Sequence, residues 1–566
     1  MESLGAIFDY YFIVIRYPLR YLFTDTSKFF LFMSNRIYNV LFHTHTVSGL
    51  VISVALFVIF FAGSVSFFRD DIISWENQQP VEANTELDIN FNQSLDALSS
   101  EYDLYGRDVT IRQSHQVRRV SVNATASKDS LAEEGNSKRM FFYHDPVTQE
   151  SYSYIQDFSL GEFLYRLHFF AQIKYPYGYL LSGFVAFFFL FAIVTGVIVH
   201  WKKMISNFYL FRPWAKLKTV WTDAHTALGL IGLPFQFMYA VTGAVVIIGT
   251  TVMFEPMSSL LYEGRTDKLQ KDLSTDVNTY AFDNEPQNYD LDINDFVAQA
   301  EQKWEGVYAS KVILQNYGDA NMHVVVEVKP KSDEQFAGLG QVAFKASTGE
   351  IVFERDPYEE TSYIAAAQQF ILKLHFGDYG GYPLKIIYFV FGIITCFVII
   401  SGVLIWVKAR DKKSNTPFKR KSNQWVASII LAISLSMYPV TAFTFSVLKL
   451  FSEFNDPQYL TLIYRTYFIS WLILSILFSI KRDNSFTNKY CLLSGSLLGF
   501  LVPIANGIIT GNWMWSTFND QQLQIFVVDG FWLITSVVTL TIFFKLKNKK
   551  STMQEVLKVN QARVVA

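Results

Sequence analysis

Apolar residues along this chain come in long blocks rather than in alternation. Eight stretches reach the ~20 apolar residues that a membrane-crossing helix needs. They run over 46–67, 178–201, 225–253, 383–407, 425–449, 459–480, 489–510 and 525–545. Segment 1–40 is also apolar, but Arg16, Pro18, Arg20, Lys28 and Arg36 interrupt it. That mixture predicts an amphipathic helix lying in the interface. The two long stretches between blocks, 68–165 and 254–370, switch to the period of two expected of strands. In the second, 293–304 predicts a short amphipathic helix. Strands follow at 311–316, 322–329 and 341–345, and Ser347-Thr348-Gly349-Glu350 turns into Ile351-Val352-Phe353. In the first, a helix around Ser94–Leu98 precedes strands near 108–113, 117–124 and 139–143, with a turn at Asp145–Thr148.

The pattern predicts a mainly α-helical polytopic membrane protein with eight transmembrane helices and two small α+β modules outside the cytoplasm. The expected organisation is an interfacial helix over 1–40, a first span over 41–67 and a module over 68–165. Spans two and three fall in 166–253, the second module in 254–370 and the fourth span in 371–410. A four-helix membrane bundle occupies 424–550.

Lysine and arginine give the orientation. Lys202, Lys203, Arg212, Lys216 and Lys218 crowd one loop. Lys408, Arg410, Lys412, Lys413, Lys419, Arg420 and Lys421 crowd another. Lys481, Arg482 and Lys489 mark a third, and the short loops 450–458 and 511–524 contain no Lys or Arg. Both termini are therefore expected in the cytoplasm. Composition narrows the function classes. Hydrophobic residues reach 51%, charged residues only 17%, and the net charge of −2 argues against nucleic acid as a partner. Cys396 and Cys491 lie in separate apolar runs, so neither a disulfide nor a cysteine metal site is expected. No short apolar region is followed by a small-residue cleavage site, so no signal peptide is expected to be removed. No Gly-rich dinucleotide or phosphate loop is visible.

The chain repeats itself. His45-Thr46-Val47-Ser48-Gly49-Leu50 matches His225-Thr226-Ala227-Leu228-Gly229-Leu230, and in each copy a second glycine, Gly63 or Gly243, follows the histidine by 18 residues. Leu167-His168-Phe169 with Tyr175-Pro176 matches Leu374-His375-Phe376 with Tyr382-Pro383. The following spans end as Gly196 to His200-Trp201-Lys202 and Gly402 to Trp406-Val407-Lys408. Spans 1–2 and 3–4 are thus two copies of one hairpin, each with a large insertion.

These residues carry a family resemblance. Trp221-Thr222-Asp223-Ala224-His225-Thr226-Ala227-Leu228-Gly229, then Leu233-Pro234-Phe235 and Thr242-Gly243-Ala244, resemble the PepSY-associated transmembrane helix family over roughly residues 40–410. The resemblance implies PepSY-like modules and a bacterial inner-membrane, iron-regulated protein. Some such proteins resemble ferric-siderophore reductases holding b-type haem between helices.

Haem iron in an electron-transfer site takes two axial ligands, and a neutral imidazole supplies one. The repeat pairs His45 with His225 near the inner face and His168 with His375 near the outer face, as two haem b sites would require. His200, whose repeat partner is Trp406, either replaces an inner ligand or bonds a haem propionate. His43 points to a different helix face from His45. His115, His144 and His323 are expected to pack or to lie on the surface. Asp223 is expected to cap the third span. Asp529 is read either as a hydrated acid near the outer face or as a proton or quinol site. His168 lies outside its span and needs a short interfacial helix to reach a haem.

The expected function is a lipid-embedded transmembrane ferric reductase. It would take electrons from a cytoplasmic partner or a quinol and pass them to an external acceptor such as a ferric siderophore. The alternatives are a non-enzymatic envelope protein, inhibitory or sensory, and a metal or chelate permease.

Overall fold

The computed structural model describes residues 34–80, 89–113, 119–132, 138–201, 209, 212, 214–266, 268–269, 278–331, 338–359, 363–454 and 456–565. The expectations for 1–33 and for His115 fall outside this set. An interfacial helix reaching residue 40 does not fit, because from Asn35 the chain is already in the first long helix, α1 (Asn35–Ser66). Ser34 caps it, its hydroxyl accepting from the Ile37 N–H at 3.3 Å.

A short helix, α2 (Arg69–Asn77), follows at once. Then come α3 (Phe91–Glu101), β1 (Val109–Arg112), β2 (Val120–Ala124), β3 (Met140–His144) and β4 (Ser151–Ser153). Helix α4 (Leu160–Leu167) leads into the long α5 (Tyr177–His200). The third span is broken. Helices α6 (Leu217–Ile231) and α7 (Leu233–Ala244, continued by a π turn over Val245–Gly249) meet at Gly232 with a 67° bend. Pro234 explains the break, since it has no N–H to donate back across the junction. After α8 (Phe254–Leu261) come α9 (Ile293–Gln302), β5 (Val307–Gln315), β6 (His323–Pro330), β7 (Gly340–Lys345) and β8 (Ile351–Arg355). Helix α10 (Tyr363–Phe376) precedes α11 (Gly381–Arg410). The rest is α12 (Pro417–Phe451), α13 (Tyr459–Lys481), α14 (Asn484–Thr510), α15 (Met514–Asn519) and α16 (Leu523–Val565). Among the described residues, seven helices are long and apolar enough to cross a membrane, or eight counting the bent pair as one span.

The two expected modules are not separate. Their strands form one eight-stranded antiparallel sheet in the order β4-β3-β2-β1-β5-β6-β7-β8. The seam is β1 against β5, with Val109 opposite Leu314 and Ile111 opposite Val312. A lone four-stranded half would leave this seam as an open edge of unpaired backbone groups. Joining the halves removes it, and periodicity within either insertion carries no trace of that pairing. The helices are joined by the same two-fold logic. The Phe91 N–H donates to the Asn294 side chain at 2.8 Å, and the Ile293 N–H donates to the Asn92 side chain at 2.9 Å. One sheet face buries Val109, Ile111, Val122 and Phe142 with Val312 and Leu314 against Phe91, Leu98 and Phe296 of α3 and α9. Each such side chain contributes roughly 1.5–3 kcal/mol. The alternate residues, Thr110, Ser121, Asn123 and Tyr143 among them, face α2 and α4 instead. His144 and His323 are buried, and His323 stacks on Tyr280 with ring centres 3.6 Å apart.

The long helices make a ring of four. Helix α1 packs against α5 and α11, while the bent span packs its α6 half on α11 and its α7 half on α5. Helices α12, α13, α14 and α16 form a second bundle, docked through α12 on α1 and through α16 on α2. The α16 dock is polar. Asp529 is fully buried, which corrects the hydrated alternative. Trp75 Nε1 donates to one of its carboxylate oxygens at 2.8 Å and Asn506 Nδ2 to the other at 2.9 Å. Gln78 donates to the Asn506 carbonyl at 3.2 Å, and Asn512 donates to Gln78 at 2.6 Å.

Asn506→Leu keeps the branched shape of the side chain but leaves Asp529 and Gln78 each short of a partner. A buried orphaned group costs about 1–3 kcal/mol. The melting temperature in detergent should fall by several degrees. An unchanged melting curve would mean that packing alone holds the second bundle to α2.

Candidate functional site

Four histidines occupy two levels of the four-helix ring. At one level, His45 of α1 and His225 of α6 face each other diagonally, with ring centres 6.3 Å apart and planes at 75°. Each ring is seated on a neighbouring helix in the same way. His45 Nδ1 bonds the Ala192 carbonyl at 2.8 Å, and His225 Nδ1 bonds the Val398 carbonyl at 2.9 Å and the Ser401 hydroxyl at 3.1 Å. A backbone carbonyl only accepts, so Nδ1 carries a proton in both rings, and in the neutral form Nε2 keeps its lone pair.

Glycines make the seats. A Cβ on Gly196 would lie 3.0 Å from His45 Cε1, and one on Gly402 would lie 3.3 Å from His225 Cε1. Each glycine falls one helical turn after the carbonyl that its imidazole bonds, so the Nδ1–Cε1 edge of the ring meets bare backbone. His200, one turn beyond Gly196 on α5, is close enough to both His45 and His225 to interact with them electrostatically. His43 is exposed and turns away, against Phe42.

The second level lies at the sheet end of the ring. His168 is the C-cap of α4, the short helix that its position demanded. Its Nδ1 is bonded to the Tyr165 carbonyl. His375, in the last turn of α10, bonds the Thr242 hydroxyl through Nδ1 at 2.9 Å. The repeated glycines lie beside these rings. His168 passes over Gly63, where a Cβ would be 3.8 Å from its own Cβ, and His375 Cε1 would lie 3.9 Å from a Cβ on Gly243. The His168 imidazole feels that of His375. Burial, then the neighbouring His375, push His168 down to about 3, and burial pushes His375 down to about 4. Both rings are neutral at ordinary pH, the form that can donate a lone pair.

Aromatic rings fill the space between the levels. Tyr239 lies 5.7 Å from His375 and 6.2 Å from Phe60, which packs on Phe189 at 5.3 Å. Nothing in the sequence singled these rings out, because they sit in runs already rich in Phe and Tyr. The positioning carboxylates were missed as well. Glu76 accepts the Leu160 and Gly161 N–H groups at 2.6 and 3.2 Å and so holds the N-terminus of α4, the helix that ends at His168. A carboxylate at a helix N-terminus is favoured by the helix dipole. Asp223 does not cap its helix. It lies two turns inside α6 and takes the Arg212 guanidinium in a two-pronged bond, 2.9 Å on each side. Cys396 and Cys491 are free and buried.

The family model described as PepSY-associated TM region matches residues 42–409. The chain belongs to this family. The PepSY-associated region begins just before His45 and ends with α11, so it contains both histidine levels and the whole sheet. The second bundle lies outside it. Together with the apolar helices, the family makes this a multi-pass membrane protein. No curated protein matches the chain.

Gly196→Leu or Gly402→Leu would force a side chain into an imidazole seat. Overpacking of this kind typically costs about 1–3 kcal/mol. Gly49→Leu is the control, since nothing lies within 4 Å of a Cβ there. Thermal unfolding in detergent should separate the first two from the third, and three equal melting temperatures would refute the seat.

Proposed function

We propose that this protein holds two b-type haems in the four-helix ring and moves electrons across a bacterial inner membrane to an acceptor on the sheet side. The observation that carries this reading is the His45–His225 pair. These rings stand 6.3 Å apart between centres, and with both Nδ1 atoms engaged it is the two Nε2 atoms that would hold a haem iron. Outer hydrogen bonds of this kind fix the orientation of metal-bound imidazoles.

His168 and His375 would hold the second haem, beside glycines that leave room for a flat ring. Along α1, Gly63 is 18 residues from His45. That is about 27 Å of helix, close to the ~30 Å hydrocarbon core. The two levels would therefore serve opposite faces. His200 would stand beside the inner site to bond a propionate. Haem supplies a one-electron iron couple when bound. The protein's part is to fix the imidazoles, keep them neutral and exclude water with Phe60, Phe189 and Tyr239. With the charged loops in the cytoplasm, electrons would come from a cytoplasmic partner or a quinol. The acceptor would be a ferric chelate such as a siderophore, because reduction to Fe(II) loosens hard-oxygen ligands.

The bend at Gly232 favours one rival, a chelate permease, because broken helices line transport paths. Uptake into sealed vesicles without reductant would speak for it.

The deciding test is the absorption spectrum of detergent-purified protein, oxidised and dithionite-reduced. A low-spin b-type spectrum at about two haems per chain is expected. His45→Ala or His225→Ala should remove one haem, and His168→Ala or His375→Ala the other. A colourless protein, made with ample haem, would sink the reading in favour of an inhibitory or sensory envelope protein.

A further inference from the structure

Between the sheet and the helices α2 and α4 lies a cavity of about 300 Å³. Its roof is the sheet face that carries Thr110, Arg112, Ser121 and Asn123, and its floor carries Arg69, Ser74 and Glu162. Four cations line it, Arg69, Arg112, Arg119 and Lys311, against two carboxylates, Asp157 and Glu162. Several of these charges are already matched. Arg69 pairs with Glu162 at 2.8 Å, Arg119 with Asp157, and Lys311 with Glu327 at 2.5 Å. Arg112 is exposed and has no carboxylate partner among the described residues. It also stands near the cationic Lys329. The Ser74 hydroxyl is 1% exposed and lacks any hydrogen-bond partner, as does the Gln79 carbonyl oxygen on the same wall. Native proteins rarely leave such groups unsatisfied, and each one asks for a partner. Phe141 and Tyr143 add flat apolar surface.

We propose that this cavity binds a small soluble polycarboxylate, either free or presenting a metal ion as an anionic chelate. The guanidinium of Arg112 is a planar fork matched to a carboxylate. The excess positive charge attracts an anion, and the Ser74 hydroxyl supplies a buried donor. Glu162, on the cavity wall, is six residues from His168 on the same helix. That is about 9 Å along the axis. The further role of the cavity as the seat of the electron acceptor rests on the haem reading above, whereas binding itself does not.

The probes are citrate and its redox-inert gallium(III) complex, titrated calorimetrically into full-length protein in detergent. Saturable binding of either is expected. Arg112→Glu, an exposed change, should weaken it roughly tenfold or more. Thr110→Trp should abolish it by filling the space, with the melting temperature of both variants showing that they fold. No binding of either probe at millimolar concentration, or binding unchanged in both variants, overturns the proposal. Binding that is lost when the protein is reconstituted with phosphatidylglycerol, and replaced by retention of that lipid through Arg112, overturns it in favour of a lipid headgroup. Because gallium is not reduced, binding to a colourless protein would keep this proposal and discard the haem one. A haem-loaded protein that binds neither probe would do the reverse.

Discussion

An imidazole edge set against bare backbone is the constraint around which the four-helix ring is arranged. The ring needs two things at once from its neighbouring helix, a carbonyl to accept its Nδ1 proton and a missing side chain one turn later. Ala192 and Gly196 supply these to His45, and Val398 and Gly402 supply them to His225. In a helix, four residues return to the same face, so carbonyl and glycine line up under one ring. The demand also fixes how closely α1 approaches α5, and α6 approaches α11. A side chain at either glycine would move a helix, and with it the 6.3 Å separation of the two rings.

The sheet end is held differently. Helix α4 is only two turns long and owes its position to Glu76, Ser159 and a close approach to α2, where a Cβ on Gly161 would be 2.7 Å from the Arg69 carbonyl. Tyr459 of α13 donates to the same Glu76 carboxylate at 2.8 Å, and Lys449 of α12 reaches the Trp75 carbonyl at 2.8 Å. Burial raises Glu76 to about 7, against the pull of these donors. The second bundle, although outside the family region, therefore grips the helix that ends at His168. This gives α12–α16 a mechanical role that their apolar sequence did not reveal.

Much of this was legible in the chain. Long apolar runs and period-two segments located the spans and nearly every strand, because burial leaves a local pattern. The repeat told more than either copy alone. It paired His45 with His225 and His168 with His375, and it marked Gly63, Gly243, Gly196 and Gly402, which the structure places beside those four rings. What stayed hidden depends on contacts between distant segments. The β1–β5 seam joins residues some 200 apart in sequence. The Arg212–Asp223 pair displaced a capping role that local position had suggested. Burial of Asp529 follows from Trp75, a partner 454 residues away.

Duplication explains the ring, and departures from it point to where the two halves do different work. The inner rings bond matched carbonyls beside matched glycines. The outer rings do not, since His375 has the Thr242 hydroxyl while the repeat places Ala62 at the equivalent position beside His168, whose Nδ1 turns to its own helix. The cavity lies off the two-fold axis, under β1, β2 and β3, with Lys311 of β5 reaching in from the other half. The second bundle grips α2 and α4 of the first copy. Unmatched polar groups, extra positive charge and outside bracing thus collect on the His168 side of the sheet. A symmetric scaffold needs no such concentration to fold. It is what a site requires if a ligand must be held at one end of a duplicated helix ring, with its position fixed relative to a single histidine.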